Sequence, residues 1–446
     1  MDPGSRSLLI RGRPGSGKTT LALHLLDRFG GDKGIYVSSR VSEENLHAFT
    51  PWSFRLAEGK RFEDLRLASA ESFVSTVFSK EREKTPIVVL DSWDSFAKKL
   101  KEDERLKTEE VLTALSAGAK SRLIFVSEEP RETNLDYLVD GVVELTTTEH
   151  EGRFLRVMHI EKLRGTPILR HRILFSLHKG RATEIGEATD RHSPETHIRR
   201  NKRRVQPSLT DYHPIPDRGT AYSLGTESLD AAFSGIRMGS MATIEYGSDV
   251  PSSVIRRLTF PFVLNFHALG RSILGALPLN SPTTLIDKAT MTFKEADLNR
   301  IRLLASAEDS LDHGLGRVWI SEADSRSYFG KLMAIADKLR AVSRDGRLAY
   351  VLSTDHFEYR FSNEKDSLMY EIHKMVSHVQ NSEDVIIFLT DSGSGLKPEL
   401  VRLSYLHMKL VMIDGSAIAF CVKPFTGAFA VEDSADPYHP TITPMM

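Results

Sequence analysis

Residues 12–20 read GRPGSGKTT, and this stretch decides the fold of the first half of the chain. The pattern GxxxxGK[ST] is typical of a phosphate-binding loop when a strand precedes it and a helix follows it. Residues 7–11 read as that strand, and the apolar spacing of residues 18–29 predicts the helix. Glycines let backbone N–H groups converge on phosphate oxygens, and the helix N-terminus adds partial positive charge. The stretch therefore predicts a nucleotide-binding site.

The predicted site combines this loop with acidic residues at the ends of later strands. The loop residues are Gly12, Arg13, Pro14, Gly15, Ser16, Gly17, Lys18, Thr19 and Thr20. Lys18 is expected to reach the β- and γ-phosphates, and the Thr19 hydroxyl to bind Mg²⁺. Asp91 follows the apolar run PIVVL and is predicted to hold the metal through a water molecule. The predicted ligand is thus ATP with Mg²⁺, and Lys18 and Asp91 are two candidate catalytic residues.

A third candidate catalytic residue is Glu128, in the stretch FVSEEP. Together with Glu129 it ends the strand that follows Asp91, a position suited to contact the metal-bound water. The alternative is that both are solvated loop carboxylates.

The composition limits the class of protein. The chain has 446 residues, of which 40% are hydrophobic and 27% charged, with a formal net charge of -1 and one cysteine. Its length favours two domains, and its charge balance argues against binding nucleic acid through the whole surface. One cysteine excludes a disulfide framework. Because no apolar run approaches about 18 residues and no signal peptide is evident, we expect a cytoplasmic protein without membrane spans.

Both halves alternate strand-like and helix-like segments, and each ends in antiparallel-looking strands. The expected domains are residues 1–185, which bind nucleotide, and residues 221–446, joined by a basic, proline-bearing linker at 186–220. The linker carries a basic strip for a partner or nucleic acid, formed by Arg199, Arg200, Lys202, Arg203 and Arg204. A solvated linker is the alternative.

The second half has lost the phosphate loop. At the corresponding place it reads GSDVPSSV, residues 247–254. Asp249 would bring negative charge towards a phosphate, and Pro251 lacks an N–H donor. We expect no nucleotide there, and interpret Asp355 and Asp391 as caps at strand ends.

A family resemblance extends this interpretation. The stretches GIYVSSRVSEENL (34–46), PIVVLDSWDSF (86–96) and RFLRVMHIEKLRGT (153–166) resemble the KaiC-like ATPase branch of the RecA superfamily. Residues 222–247 resemble that branch's domain opening. Within the branch, the archaeal gas-vesicle regulatory protein D family is most similar. The resemblance implies an α/β fold with two P-loop domains, the second degenerate, each a mainly parallel sheet flanked by helices with antiparallel edge strands.

The resemblance also raises a question about hydrolysis. KaiC-like ATPases activate the attacking water with two glutamates after the second strand, and here Arg40 and Val41 take those places. Neither side chain can accept a proton. We expect Arg40 to bind the γ-phosphate and to favour the bound state. Glu43 and Glu44 are interpreted as solvated residues that begin a helix, although a different loop fold would let them substitute.

By the same resemblance, Lys162 and Arg164 match residues that point at the phosphates of a neighbouring subunit. A basic hairpin paired with Glu161 is the alternative. The resemblance therefore leaves a homo-oligomer open.

Three functions follow from these observations. The first is a regulatory Mg·ATP-binding protein with slow or partner-dependent hydrolysis, whose nucleotide state controls contact with a protein such as a transcription activator. The alternative is a DNA-binding or DNA-stimulated recombination-type ATPase that uses the basic strip. The third is a structural scaffold with a relic loop, against which the completeness of the loop argues.

Overall fold

A computed structural model gives the structure of the chain. It describes residues 7–53, 61–69, 72, 75–77, 79, 86–119, 121–129, 131–186, 212–278, 299–305, 316–432 and 439–446. The chain forms two compact units, Met1–Ile185 with Met445–Met446, and Gly186–Pro444. The basic strip at residues 199–204 lies outside the described residues.

Unit 1 is built on a nine-stranded sheet in the order β3-β2-β4-β5-β1-β6-β7-β8-β9. The strands are β1 (Ser7–Gly12), β2 (Ile35–Ser38), β3 (Phe62–Asp64), β4 (Ile87–Asp91), β5 (Arg122–Ser127), β6 (Gly141–His150), β7 (Arg153–Leu163), β8 (Arg172–Ser176) and β9 (Thr183–Glu184). Strands from β3 to β6 in this order pair in parallel. Strands β6 to β9 pair antiparallel.

Helices cover both faces of this sheet. They are α1 (Lys18–Phe29), α2 (Glu43–Phe49), α3 (Trp93–Ala97), α4 (Glu102–Ala119) and α5 (Asn134–Leu138), with 3₁₀ turns at Gly31–Lys33, Pro51–Ser53 and His178–Gly180. Successive residues of a strand point to opposite faces, so Leu8 and Ile10 of β1 pack on the α1 side while Leu9 packs on the other. Because β2, β4, β5 and β1 are parallel, their carboxyl ends lie at one edge of the sheet.

Unit 2 repeats the arrangement around a ten-stranded sheet in the order β15-β14-β13-β16-β17-β12-β18-β19-β20-β21. The strands of unit 2 are β10 (Ala221–Tyr222), β11 (Ile236–Arg237), β12 (Ser240–Tyr246), β13 (Ser272–Ala276), β14 (Ile301–Leu304), β15 (Arg317–Val318), β16 (Leu348–Ser353), β17 (Val385–Asp391), β18 (Leu406–Ile413), β19 (Ser416–Lys423), β20 (Phe429–Glu432) and β21 (Thr441–Pro444). Strands β10 and β11 pair with each other in a separate two-stranded sheet. Its helices are α6 (Glu227–Phe233), α7 (Ser252–Ala268), α8 (Ser325–Val342), α9 (Thr354–Arg360), α10 (Lys365–Ser382) and α11 (Lys397–Leu403).

Strand β12 has the position in unit 2 that β1 has in unit 1. It lies between parallel neighbours β17 and β18, just as β1 lies between β5 and β6. From β18 onwards the strands are antiparallel. The predicted fold class, two α/β domains with mainly parallel sheets and antiparallel edge strands, is confirmed.

The chain that leads into unit 2 is held by polar side chains. The amide Oδ1 of Asn265 accepts from Ile215 N at 2.7 Å. The guanidinium of Arg271 pairs with Asp217 at 2.5 Å and with Asp345 at 2.8 Å.

Among the described helices of both units, none has the length and apolar character needed to cross a membrane.

Candidate functional site

The loop between β1 and α1 has a conformation that requires glycine. Gly12 has a φ of 151°, and a Cβ there would lie 2.3 Å from the carbonyl oxygen of Leu145 on β6. Gly17 has a φ of 101° and packs so closely on Leu177 that a Cβ would lie 2.9 Å from its Cδ1. Gly15, with a φ of 79°, faces open space. The glycines of the predicted loop thus let the main chain turn tightly below an open cradle.

Lys18 and Ser16 are the buried polar side chains of this cradle. The Lys18 ammonium donates to the carbonyls of Gly12 at 2.8 Å and Arg13 at 2.9 Å, so the side chain lies back over the loop. Burial lowers the pKa of Lys18, while the carboxylate of Glu128 acts in the opposite direction. The Ser16 hydroxyl is buried without a hydrogen-bond partner among the described residues. Both groups are suited to receive phosphate oxygens.

The N-terminus of α1 adds a third element to the cradle. Helix α1 begins at Lys18, and its N-cap, Gly17, has no side chain that could satisfy the first-turn N–H groups. Thr19 and Thr20 lie in this first turn. Free N–H groups and the positive end of the helix dipole attract anions. The arrangement fits a nucleotide phosphate.

Asp91 lies at the end of β4, beside the Thr19 hydroxyl. Thr19 Oγ1 donates to Asp91 Oδ2 at 2.6 Å, and the hydroxyl of Tyr36 donates to the same oxygen at 2.5 Å. Burial raises the pKa of Asp91, and the two hydrogen bonds lower it. Burial also raises the pKa of Tyr36 well above its ordinary value, so its hydroxyl remains a donor at neutral pH.

This donor set fits a hydrated Mg²⁺ shared with phosphate. Magnesium keeps several water ligands and binds through one or two protein groups together with substrate phosphates. Among the described residues no cluster of three acidic, histidine or cysteine side chains could hold a metal by itself. Thr19 and Asp91 are the residues that would hold the metal.

Arg40 and Glu128 meet next to Lys18. Arg40 Nη1 lies 2.5 Å from Glu128 Oε1, and the same carboxylate oxygen lies 4.0 Å from Lys18 Nζ. Val41 packs against the core on the α1 side of the sheet. The structure therefore places a salt bridge, with Glu128 shared between two cations, beside the end of the phosphate loop.

The turn that carries Arg40 is held by Ser38. The Ser38 hydroxyl accepts from Val41 N at 3.0 Å and donates to Val41 O at 2.6 Å. Directly after this turn, Ser42 caps α2, whose first two residues are Glu43 and Glu44. These two glutamates thus begin a helix.

Asp94, in helix α3, anchors the main chain at Glu128. Its Oδ1 accepts from Ser127 Oγ at 2.8 Å, and its Oδ2 accepts from the backbone N–H of Glu128. Glu129, by contrast, is exposed. Helix α3, which follows Asp91, therefore fixes the position of Glu128. The sequence alone does not show this contact between Asp94 and the end of β5.

Arg156 is a site residue that sequence reasoning missed. It lies on β7, and its Nη1 donates to the carbonyl of Gly15 at 2.9 Å. Its Nε is buried and has no hydrogen-bond partner among the described residues. Burial lowers the pKa of this guanidinium. The LRV segment signals only a strand, so nothing in the sequence indicated that this arginine reaches the loop.

Lys162 and Arg164 lie at the far end of β7, against the C-terminal part of α5. Lys162 Nζ donates to the carbonyl of Asp136 at 2.7 Å, and Arg164 Nη2 donates to that of Tyr137 at 2.7 Å. Glu161, the partner considered from the sequence, lies 2.5 Å from Arg11 on β1. The two basic residues thus bind the terminal carbonyls of a helix within their own unit.

The corresponding loop of unit 2 is a turn closed by its own backbone, because Val250 N donates to Gly247 O at 3.0 Å. Asp249 Oδ1 lies 2.6 Å from where a Cβ on Gly247 would be, and Val250 is buried in the core. Helix α7 begins after Pro251. At the strand ends, Asp391 accepts from Gly393 N at 2.7 Å, and Asp355 lies in the first turn of α9.

Comparison with known proteins agrees with the architecture of unit 1. A family model described as GvpD gas vesicle protein, P-loop domain, matches residues 1–53 and 50–161. Protein GvpD2 of Halobacterium salinarum is 25% identical over 95% of this chain and 90% of its own length. Protein GvpD1 of the same organism is 22% identical over 99% of this chain and 94% of its own.

Among solved structures, a KaiC-like protein from the archaeon Pyrococcus horikoshii OT3 covers 41% of this chain and 89% of its own, at 20% identity and a TM-score of 0.36. The resemblance to the gas-vesicle protein D family is confirmed by the family model and by the two full-length relatives. The chain is therefore similar to the GvpD proteins over nearly its whole length, and residues 1–161 match the model of their P-loop domain.

Proposed function

We propose that this protein is a regulatory ATP-binding protein whose nucleotide state controls contact with a protein partner. The observation that carries the proposal is the Arg40–Glu128 pair beside Lys18. In this arrangement a carboxylate lies next to the loop lysine, where a γ-phosphate would compete with it. Arg40 and Lys18 are then the residues that distinguish ATP from ADP.

Different residues of unit 1 bind the phosphates and the metal in this proposal. Bound Mg·ATP supplies the negative charge of the γ-phosphate and the positive charge of the metal. Lys18, Ser16 and the first turn of α1 bind phosphate oxygens, and Thr19 with Asp91 hold the metal. Arg40 exchanges Glu128 for the γ-phosphate because a guanidinium binds either anion in the same planar geometry.

This exchange connects the site to the protein surface. Arg40 lies in the turn that leads directly into α2, Glu43–Phe49. The last residue of this helix, Phe49, is 79% exposed. A displacement of Arg40 therefore acts on a surface helix with an exposed aromatic side chain, which is suited to contact a protein partner.

Slow hydrolysis follows from the same contacts. A general base must lie within hydrogen-bond reach of the attacking water. Arg40 cannot accept a proton, and Glu128, the described carboxylate nearest to Lys18, is engaged by Arg40. We expect the site to bind ATP tightly and to cleave it slowly, unless a partner rearranges Glu128.

The relatives suggest where this switch operates. Because residues 1–161 match a model described as a gas vesicle protein, we propose that the chain acts in the control of gas-vesicle formation, through contact with a transcriptional regulator. In this proposal unit 2, in which a closed turn replaces the phosphate loop, binds no nucleotide, and each chain contains one switch.

The test is to measure the ATP turnover of the full chain, and to measure its oligomeric state by size-exclusion chromatography in ATP and in ADP. We expect tight ATP binding, slow turnover without a partner, and a nucleotide-dependent change in contact with the partner. Lys18→Ala is the control and should abolish ATP binding. Turnover of several per second by the isolated protein, or unchanged affinity in Lys18→Ala, would contradict the proposal.

A further inference from the structure

The buried hydroxyl of Tyr36 is placed to act on the metal site. Tyr36 is fully buried on β2, and its ring stacks on Phe62 of β3 with centroids 5.8 Å apart. In an apolar environment a hydroxyl without a partner is costly, so its direction is determined by its acceptor. That acceptor is Asp91 Oδ2, at 2.5 Å.

Two donors occupy this one oxygen. Thr19 Oγ1 and the Tyr36 hydroxyl both donate to Asp91 Oδ2, at 2.6 Å and 2.5 Å. Of the two donors, only Thr19 would also have to bind the metal. If the Thr19 hydroxyl were to bind Mg²⁺, Tyr36 would remain as the donor that orients the Asp91 carboxylate.

The end of β2 also holds the main chain around Asp91. Ser39 N donates to Asp91 O at 2.8 Å. The Ser39 hydroxyl donates to Ser92 O at 2.8 Å and accepts from Ser92 N at 3.0 Å. With the backbone fixed by Ser39, the remaining freedom of Asp91 is the rotation of its side chain, and Tyr36 restricts that rotation.

We propose that Tyr36 is a positioning residue for the metal site, which orients the Asp91 carboxylate towards the hydrated Mg²⁺ of bound ATP. This inference rests on the proposed function, because it requires that unit 1 binds Mg·ATP. Groups that orient metal-binding residues typically change metal affinity by about 10–100-fold when they are replaced.

The test uses the full chain and the variant Tyr36→Phe, which keeps the ring on Phe62 and removes only the hydroxyl. ATP affinity is measured in EDTA and over a titration with Mg²⁺. We expect the Mg²⁺ concentration for half-maximal effect to rise about 10–100-fold, with the affinity in EDTA unchanged. Tyr222→Phe is the matched control, since Tyr222 is equally buried and its hydroxyl donates to Glu383 O at 2.7 Å in unit 2. It should keep the Mg²⁺ dependence of the wild type.

A second comparison separates positioning from a general loss of structure. In the background of Asp91→Asn, Tyr36→Phe should cause no further change in Mg²⁺ dependence, because its effect passes through Asp91. An equal loss of affinity in EDTA and in Mg²⁺, an unchanged Mg²⁺ dependence, or an additive effect in the Asp91→Asn background would overturn the positioning role alone. A wild-type chain that binds no ATP in either medium would overturn the proposed function as well.

Discussion

Replacing Glu128 by glutamine should tighten the binding of ATP and leave that of ADP nearly unchanged. In the structure the Glu128 carboxylate lies 4.0 Å from Lys18 Nζ and 2.5 Å from Arg40 Nη1. A γ-phosphate must compete with this carboxylate for both cations. Glutamine keeps the shape of the side chain and removes its charge.

The size of the effect follows from the charge separation. Two unit charges 4.0 Å apart attract by about 4 kcal/mol at an effective dielectric constant of about 20. The Glu128 side chain is 31% exposed, so water screens part of this attraction. After this screening, the attraction of Glu128 for the two cations should oppose ATP binding by about 1–2 kcal/mol. Its removal therefore corresponds to roughly 5–30-fold tighter ATP binding.

Calorimetric titration with ATP and ADP, each with Mg²⁺, measures this change. The matched control is Glu129→Gln, which removes the same charge from the exposed neighbouring residue and should leave both affinities unchanged. Unchanged or weaker ATP binding in Glu128→Gln would refute the competition. If the variant lost ATP hydrolysis without gaining affinity, Glu128 would instead act as a catalytic group on the metal-bound water.

Three further changes test other parts of the structure. Arg156→Ala should weaken ATP binding roughly 10-fold or more in titrations, because charged hydrogen bonds contribute about 1.5–3 kcal/mol, while Arg156→Lys should retain part of the affinity. Gly12→Ala should lower the free energy of unfolding in urea by about 1–3 kcal/mol, because its Cβ would meet Leu145 O, and Gly15→Ala should cost less. Burial lowers the pKa of His356 from 6.5 to about 4 in the folded chain. As the pH falls, the His356 imidazole is therefore protonated in the unfolded chain at a higher pH than in the folded chain. The free energy of unfolding should thus decrease by roughly 3 kcal/mol between pH 6.5 and pH 4. His356→Gln should lose this part of the acid sensitivity in urea unfolding at pH 7 and pH 5; an unaltered pH dependence would contradict the assignment.

The sequence predicted the local elements of the site because each has a short-range signal. The GRPGSGKTT stretch predicted β1 and α1, and the apolar run before Asp91 predicted β4, as the structure has them. Such signals arise from glycine geometry and from strands buried on both faces. The repeated order of elements likewise predicted a second unit of the same fold class, although the sheet of unit 2 has one more edge strand, β15.

Contacts across the sheet could not be predicted in this way. Arg156 reaches Gly15 over a sequence separation of 141 residues, and Tyr36 reaches Asp91 over 55. Both contacts depend on strand order and register, which a single sequence does not specify. Strand β3, Phe62–Asp64, was also missed because its three residues are too few to show an alternating pattern.

The closed turn of unit 2 has a consequence for how the chain responds to heat. A ligand stabilises only the part of a protein that binds it, by about 2.7 kcal/mol at about 100 times its dissociation constant. In unit 2 the backbone N–H of Val250 bonds to Gly247 O and the Val250 side chain is buried, so this turn is closed without any ligand. We expect ATP to raise the melting temperature of unit 1 and to leave that of unit 2 where it is. The stability of unit 1 would then vary with the ATP concentration in the cell, while the stability of unit 2 would stay constant.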